Sequence, residues 1–328
     1  MSKSFEVFTH VALAIDPIHV GTGGARLGRV DNTIVRDPVT CVPKIPGSSL
    51  AGVYRAYTAM EKNKYPGCAG LGQRRSDGTV GHCGSPDCSV CTVFGFARGA
   101  SGGFAGLASF CDAHVLLFPV PTRKGPFWVT SPIALRSARE TENIVQNQDL
   151  DGITLYCEKE DRALNLGWLM LPVKRYEKWQ PLEKALEALN VPGYIRQRVG
   201  VLSDTLFGHV VNSNLEVRTS VAIDPETGAA EEQALFTYEA LPRGTVLVWE
   251  VTCRNPAHFK VGGEEISAVK TPEDVHNRVQ LAHPYLEHLG VGGMGTRGMG
   301  RLRVLYSGPA KPWEPTPDGG EPRNERKS

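Results

Sequence analysis

A chain of 328 residues with a formal net charge of +1 has no global excess of basic residues, so any nucleic-acid binding must come from a local basic face. The composition, 41% apolar and 22% charged, is typical of a globular protein able to bury a core, as two small domains or one elaborated domain. No apolar run reaches the length of a membrane helix and the first residues lack a signal-peptide pattern, so we expect a cytoplasmic protein without a membrane partner.

The start of the chain predicts a site for an anion. Residues 6–15 alternate as a first strand does, and a glycine-rich bend follows at 19–24. Ser48 and Ser49 are placed as N-caps of a helix over 49–62, and glycine bends and helix starts both offer backbone N–H groups to phosphates. Neither GxxxxGK[ST] nor a strand-anchored GxGxxG occurs here, which favours a phosphodiester backbone over a nucleotide. A capped helix after a turn-rich connection, without a ligand, is the alternative.

The eight cysteines include a cluster that predicts a metal site. Cys83, Cys88 and Cys91 form C-x4-C-x2-C, a spacing that lets several sulfurs reach one ion. Cys68 is the preferred fourth ligand, because the alternative, His82, lies next to Cys83 and its geometry is therefore constrained. Four protein ligands indicate a structural zinc ion, and a set of surface thiols without a metal is the other interpretation.

The remaining elements alternate between strand and helix signals. A buried strand is predicted over 108–121, a mainly helical section over 132–198, and strand-rich segments over 202–223 and 235–253 with a turn at 224–228 between them. Thr271 followed by Pro272 predicts the capped start of a helix over 271–289. A last strand is expected over 301–305. This order predicts an α+β protein.

Several segments occur in one order along the chain: HVGTGG, VDNTIVRDP and PKIPGSSLAG near the start, CSVCTVFG at 88–95, a long segment at 220–251, and GVGGMGTRGMGRLRV at 290–304. In this order they resemble the RAMP superfamily of CRISPR proteins, and within it the repeated backbone subunit of type III effector complexes. The acidic and aromatic LFTYEALPRGT segment is more similar to the type III-B version than to the type III-A version.

This resemblance implies a ferredoxin-like, RRM-related palm with long insertions. We expect a single domain over 1–308, with a zinc-binding insertion at about 63–104, a helical insertion at about 132–200 and a projecting thumb hairpin at about 217–233. Residues 309–328 have the composition of a disordered tail.

The resemblance also implies an endoribonuclease in which Asp31 cleaves target RNA paired to a guide. The target's own 2′-hydroxyl would attack the phosphorus, and a carboxylate at this point can hold Mg²⁺ or Mn²⁺ or assist proton removal. An Asx turn at Asp31 and Asn32 is the alternative that the residues alone favour.

The expected partners are a guide RNA, the target RNA, further copies of the chain in a head-to-tail filament, and other subunits of the complex. Guide pairing would supply sequence specificity, and Phe236 and Tyr238 are expected to pack within the fold. The residues expected to bind RNA are His19, Gly21, Gly23, Gly24, Arg26, Arg29, Arg36, Lys44, Ser48, Ser49, Arg55, Arg297 and Arg301.

Two other functions fit the same resemblance. The first is a scaffold that binds guide RNA and does not cleave. The second is a guide-RNA processing nuclease of the superfamily, which would act alone and use a histidine-centred site.

Overall fold

The computed structural model describes residues 3–23, 30–70, 82–99, 102–146 and 149–312. Its first strands are β1 (Phe5–Ala14), β2 (Lys44–Ile45), β3 (Phe96–Gly99), β4 (Gly102–Phe104), β5 (Ala108–Phe110), β6 (Ala113–Thr122), β7 (Gly125–Thr130), β8 (Leu155–Cys157) and β9 (Asp161–Leu166). The later strands are β10 (Leu169–Arg175), β11 (Val199–Val201), β12 (Glu216–Ile223), β13 (Ala230–Ala240), β14 (Val246–Arg254), β15 (Lys260–Val261), β16 (Glu264–Glu265) and β17 (Leu302–Pro309). The helices are α1 (Gly47–Glu61), α2 (Ser89–Phe94), α3 (Pro132–Leu135), α4 (Trp179–Ala188), α5 (Gly193–Arg196), α6 (Asp204–Ser213), α7 (Pro272–Gln280) and α8 (His283–His288).

One large mixed sheet organises the described residues. Its strands run in the order β17-β1-β14-β6-β7-β11-β8-β10-β9, with β2 and β5 attached to β6 and β14. β1 pairs antiparallel with β14 and with β17, and β14 pairs antiparallel with β6. In the chain, α1 lies between β1 and β6, and α7 and α8 lie between β14 and β17. The predicted α+β class is confirmed.

Alternation along β1 places its side chains in two cores, one on each face of the sheet. Phe8 belongs to the core that contains Leu50 and Tyr54 of α1. Val11 belongs to the opposite core, which contains Leu182 of α4. Among the described helices, none has the length and apolar character needed to cross a bilayer.

The expectation of a mainly helical insertion at 132–200 is wrong. This segment contains β8, β9, β10 and β11 as well as α3, α4 and α5. β9 and β10 form an antiparallel hairpin around Gly167, whose φ of +63° is a left-handed conformation that favours glycine. Alternating buried positions in β9 and β10 fit a sheet with one covered face, and only the α4 part of the segment has the predicted amphipathic helix.

Two further boundaries differ from the expectation. Residues 204–213, expected within a strand-rich segment, form α6, whose N-cap is Ser203: the Ser203 side chain accepts a hydrogen bond from the backbone of Leu206. The helix expected over 271–289 is divided into α7 and α8. Its predicted start is confirmed, because Thr271 and Asp274 form a reciprocal capping box.

The predicted N-caps at Ser48 and Ser49 are wrong. The N-cap of α1 is Pro46, without a side-chain cap, so both serines lie in the first turn. Asp112 acts at this helix start instead, because its Oδ1 accepts a hydrogen bond of 2.8 Å from the Gly47 N–H. A Cβ atom at Gly47 would lie 2.3 Å from the Phe110 carbonyl oxygen, so the close approach requires glycine.

β12 and β13 form a separate two-stranded hairpin. Its predicted turn is confirmed: at 224–228, Asp224 accepts hydrogen bonds from the Glu226 backbone and the Thr227 hydroxyl. The paired strands extend over 216–240, beyond the 217–233 expected for a thumb. The single-domain limits and the thumb assignment stay predictions, and most of the expected disordered tail lies outside the described residues.

Three histidines connect the sheet to its helical layer: His10 and His276 are buried, and His283 is half-buried. Nε2 of His276 in α7 lies 3.3 Å from Nε2 of His10 in β1 and 3.1 Å from Oγ of Ser307 in β17. Burial lowers the pKa of His276 to about 4, and burial together with the charge of His276 lowers that of His283 to about 4. The folded state therefore keeps these rings neutral.

We expect the free energy of unfolding to fall as the pH decreases from about 6.5 to about 4, because the unfolded chain takes up these protons first. The loss should reach at most about 3 kcal/mol for each of His276 and His283, following the 1.36 kcal/mol per pKa unit of linkage. Urea unfolding at several pH values measures it. His283→Gln should reduce the slope and His258→Gln, at an exposed position, is the control; equal slopes in all three proteins would contradict the assignment.

Candidate functional site

Two glycine-rich loops that are far apart in sequence meet beside β1. The Gly293 N–H donates to the His19 carbonyl oxygen at 2.8 Å. Gly292 has a φ of +87°, and a Cβ atom there would lie 2.4 Å from the same oxygen, so only glycine permits this approach. His19 and Gly293, together with Gly21 and Gly23, line a groove of about 510 Å³. The structure thus brings together the two loops expected to hold phosphates, in the part that it describes.

The Asp31–Asn32 segment pairs with β13 of the hairpin. The Asn32 N–H donates to the Thr237 carbonyl oxygen, and the Glu239 N–H donates to the Asn32 carbonyl oxygen, each at 3.0 Å. Asn32 thereby forms a parallel bridge with Tyr238. The position of Asp31 is therefore set by contact with a strand more than 200 residues later in the chain.

Asp31 presents an exposed carboxylate next to this bridge. Its Oδ2 accepts hydrogen bonds from the Thr237 backbone N–H at 2.7 Å and from the Thr237 hydroxyl at 2.9 Å. The Asp31 N–H donates to the same hydroxyl at 3.1 Å. The backbone N–H of Thr237, and then its hydroxyl, lower the pKa of Asp31 below its ordinary value. The side chain is thus an anion at neutral pH.

His19 lies at the floor of the groove and is fixed by the same strand. Its Nδ1 lies 2.6 Å from the Glu239 carbonyl oxygen, so Nδ1 carries the proton and Nε2 is the acceptor in the neutral ring. Nε2 is on the side of Gly21, where a Cβ atom would lie 3.0 Å from it. The ring also packs edge-on against buried Tyr238, whose predicted packing role is confirmed.

Glu239 and Thr237 are site residues that sequence reasoning did not assign. The Glu239 carboxylate receives a hydrogen bond of 2.8 Å from Arg36, and its backbone holds His19. The available signal was the alternation in β13, which places Thr237 and Glu239 on the same face. That pattern indicates a shared face but not the loop that the face contacts.

Most basic side chains expected to bind RNA have protein partners. Arg36 also donates to Asn212 and to the Ile34 carbonyl, and Lys44 pairs with Asp112 at 2.7 Å. Arg301 pairs with Asp16 through two hydrogen bonds. Gly24, Arg26 and Arg29 lie outside the described residues.

Arg297 forms no ion pair among the described residues, and its hydrogen-bond partner is the Met294 sulfur at 3.3 Å. It is exposed, and its guanidinium lies 5.5 Å from the ring centroid of Phe236, a cation–π contact that leaves a cation at the surface beside the hairpin. Ser48 and Ser49 lie in the first turn of α1, where the Asp112 carboxylate already accepts from Gly47. The strongest candidates for phosphate contact are therefore the glycine loops and Arg297.

A separate candidate metal centre lies in the excursion after α1. The Sγ atoms of Cys68, Cys83, Cys88 and Cys91 all lie within 4.8 Å of one another, and none of these cysteines is in a disulfide. The Cys68–Cys83 and Cys83–Cys91 sulfur distances are each 3.6 Å. Four sulfurs around a zinc ion with Zn–S bonds of about 2.3 Å would be about 3.8 Å apart, so the cluster fits a tetrahedral site.

Hydrogen bonding among the cysteine sulfurs of this cluster is also compatible with metal binding. The hydrogen bond from Cys91 lowers the pKa of Cys88 to about 5, and the same contact raises the pKa of Cys91. Burial is the main cause that raises the pKa of Cys83 to about 11. A cation that replaces these shared protons would neutralise several thiolates at once.

Arg55 and His82 brace the cysteine cluster. The three guanidinium nitrogens of Arg55 lie at hydrogen-bond distance from the Cys68 carbonyl (2.7 Å), the Gly95 carbonyl (2.6 Å) and Nδ1 of His82 (2.8 Å). The Cys68 sulfur belongs to the cluster, whereas the His82 ring is hydrogen-bonded to Arg55. These contacts direct the Arg55 guanidinium to the excursion.

Comparison with known proteins adds sequence and fold evidence. The CRISPR system Cmr endoribonuclease Cmr4 of Pyrococcus furiosus is 27% identical over 247 residues, which make up 71% of this chain and 76% of that protein. A chain in a cryo-EM structure of the Type III-B Cmr-beta bound to cognate target RNA superposes with a TM-score of 0.64 at 16% identity, over 92% of this chain and 99% of that one. Oligomeric Cmr4 from Pyrococcus furiosus, in a crystal structure, superposes with a TM-score of 0.55 at 19% identity, over 94% and 99% of the two chains.

The family itself is identified from the sequence. A family model described as the RAMP superfamily matches residues 12–303, which include the glycine bend, the Asp31 loop, the cysteine cluster and the hairpin. The predicted resemblance, including its type III-B character, is confirmed. The chain belongs to the RAMP superfamily.

Proposed function

We propose that the chain is a backbone subunit of a type III CRISPR complex that binds guide RNA and cleaves paired target RNA at Asp31. The observation that carries this proposal is the exposed, anionic Asp31 carboxylate, held beside a groove whose walls are two glycine-rich loops. Backbone N–H groups of such loops suit phosphate oxygens, so RNA and the carboxylate can meet at one place.

The environment of Asp31 favours one of its two possible roles. A carboxylate whose pKa lies below its ordinary value is a weak proton acceptor at neutral pH, so it is poorly matched to general-base catalysis. Its oxygens suit a hard divalent cation such as Mg²⁺ or Mn²⁺, which would supply positive charge next to the scissile phosphate. We therefore assign Asp31 to holding the cation.

The neighbouring histidine suits contact with the nucleic acid. With Nδ1 donating to the Glu239 carbonyl, the His19 ring directs Nε2 towards the groove, where it can hydrogen-bond a ribose hydroxyl. Arg297 offers a cation to the phosphates from the hairpin side.

The strand arrangement supports the expected palm. The order β17-β1-β14-β6 with antiparallel neighbours, and helices between β1 and β6 and between β14 and β17, corresponds to two interleaved β–α–β units. We assign this part to the ferredoxin-like, RRM-related palm and the β12–β13 hairpin to the thumb. Several copies would then stack head to tail along the guide with other subunits, as relatives named for a complex and an oligomer suggest.

A guide-RNA processing nuclease with a histidine-centred site is less well supported. Among the described residues, His10 and His276 of the histidine cluster are buried, so their rings are not accessible to RNA in the folded chain.

We also propose that Cys68, Cys83, Cys88 and Cys91 hold a structural zinc ion. All four ligand positions come from the protein, which is typical of a zinc ion that stabilises a loop. Arg55 would offset part of the negative charge of four thiolates and tie the site to α1.

Replacing Asp31 by alanine or asparagine should abolish target cleavage by the assembled complex in the presence of Mg²⁺, because the cation loses its ligand. The loss should be at least about 100-fold, the scale of a removed catalytic group. Cleavage rates on a labelled target, together with target affinity, provide the measurement. Glu264→Gln, on the exposed β15–β16 hairpin, is the control. Normal cleavage by Asp31→Ala would leave the scaffold function as the better interpretation.

Wild-type protein should contain about one zinc ion per chain. Cys83→Ser should lower this content and the temperature of unfolding, because it removes one ligand at an exposed position with little loss of packing. Elemental analysis and thermal unfolding measure both effects. Cys41→Ser, also exposed, should keep the zinc, and His82→Gln should keep it as well if Cys68 is the fourth ligand. Wild-type protein that contains no zinc and unfolds at the same temperature as Cys83→Ser would refute the site.

A further inference from the structure

We propose that Thr237 is the positioning residue for Asp31: its side chain and backbone hold one carboxylate oxygen, so that the other oxygen is presented to the cation at the cleavage site. This inference rests on the proposed function of Asp31. It assigns the hairpin a direct part in arranging the cleavage site, in addition to any contact that the hairpin makes with RNA.

The contact is reciprocal, which is why it restricts the side chain strongly. The Thr237 hydroxyl donates to Asp31 Oδ2 at 2.9 Å and accepts from the Asp31 N–H at 3.1 Å. The Thr237 N–H donates to the same carboxylate oxygen at 2.7 Å. An exposed aspartate without such contacts samples several rotamers, and each would move a metal ligand by more than a cation–oxygen bond tolerates.

Thr237 is itself firmly placed. Its carbonyl oxygen accepts from the Asn32 N–H, and the following Tyr238 is buried against the edge of His19. On the other strand of the hairpin it is paired with Thr219. Because the backbone of Thr237 is paired on both sides, the position and direction of its hydroxyl are fixed.

Strand stability alone does not require a hydroxyl here. Valine has nearly the same shape as threonine and suits a β-strand equally well. At this position, however, valine would leave the Asp31 N–H and one contact of the carboxylate without their partner. Thr219, on the same face and exposed, has the same residue type without a contact to Asp31 in the described structure, so it provides a matched comparison.

The experiment compares Thr237→Val, Thr237→Ser, Thr219→Val and Asp31→Ala in the assembled complex. Cleavage of bound target is measured against Mg²⁺ concentration, and target affinity is measured separately. Hydrogen exchange of the peptide that spans 30–36 is followed by mass spectrometry as a readout that needs no activity.

Thr237→Val should slow cleavage of bound target by about 10- to 100-fold, the range for partners that orient a metal ligand, and should raise the Mg²⁺ concentration for half-maximal rate. Target affinity should stay unchanged, and hydrogen exchange at 30–36 should become faster. Thr237→Ser should keep the wild-type cleavage rate and the wild-type exchange rate, because serine retains the hydroxyl. Thr219→Val should behave as wild type.

The outcomes separate the two proposals. If Asp31→Ala is inactive while Thr237→Val cleaves with the wild-type rate and Mg²⁺ dependence, the positioning role is overturned and the function of Asp31 stands. If Thr237→Val and Thr219→Val are equally impaired, or serine fails to rescue, the effect belongs to the hairpin and the positioning role is again overturned. Full cleavage by Asp31→Ala would overturn both proposals.

Discussion

The backbone pairing between Asn32 and β13 is the constraint on which the candidate site depends. Two hydrogen bonds of 3.0 Å join a loop near the start of the chain to a strand near its end. They place the Asp31 carboxylate against Thr237, and the adjoining Glu239 carbonyl then holds His19. The Asp31 carboxylate, the His19 imidazole and the first glycine loop, all near the start of the chain, thus share one frame with β13 and with the second glycine loop.

Acidic residues of the protein pair with several of its basic side chains, so fewer basic side chains remain available to bind a ligand. Asp112 occupies the start of α1 and pairs with Lys44, Glu239 pairs with Arg36, and Asp16 pairs with Arg301. With a net charge of only +1, attraction of RNA has to be local. Backbone N–H groups in glycine loops suit this condition, because they bind phosphate without adding a charge that another carboxylate could neutralise.

The cysteine cluster and the glycine loops of the groove at His19 are connected through α1. Arg55, on this helix, donates to the carbonyls of Cys68 and Gly95, and Tyr57, two residues further along, donates to the Gly290 carbonyl at the start of the second glycine loop. One helix therefore carries contacts to both regions. A metal that orders the excursion would stabilise the same helix against which the glycine loop packs.

The sequence by itself determined the α+β class, the first strand, α1, the N-cap at Thr271, the hairpin turn at Asp224 and the four clustered cysteines, because each has a local pattern of spacing or capping. Its family motifs also indicated Asp31. Only the tertiary structure decided that the segment at 132–200 contributes strands, that Asp112 replaces Ser48 and Ser49 at the helix start, that Arg36 and Arg55 serve internal contacts, and that Thr237 holds Asp31. Most of these features arise from groups far apart in the sequence, as Gly47 is from Asp112 and Asp31 is from Thr237, and no local pattern encodes such a meeting.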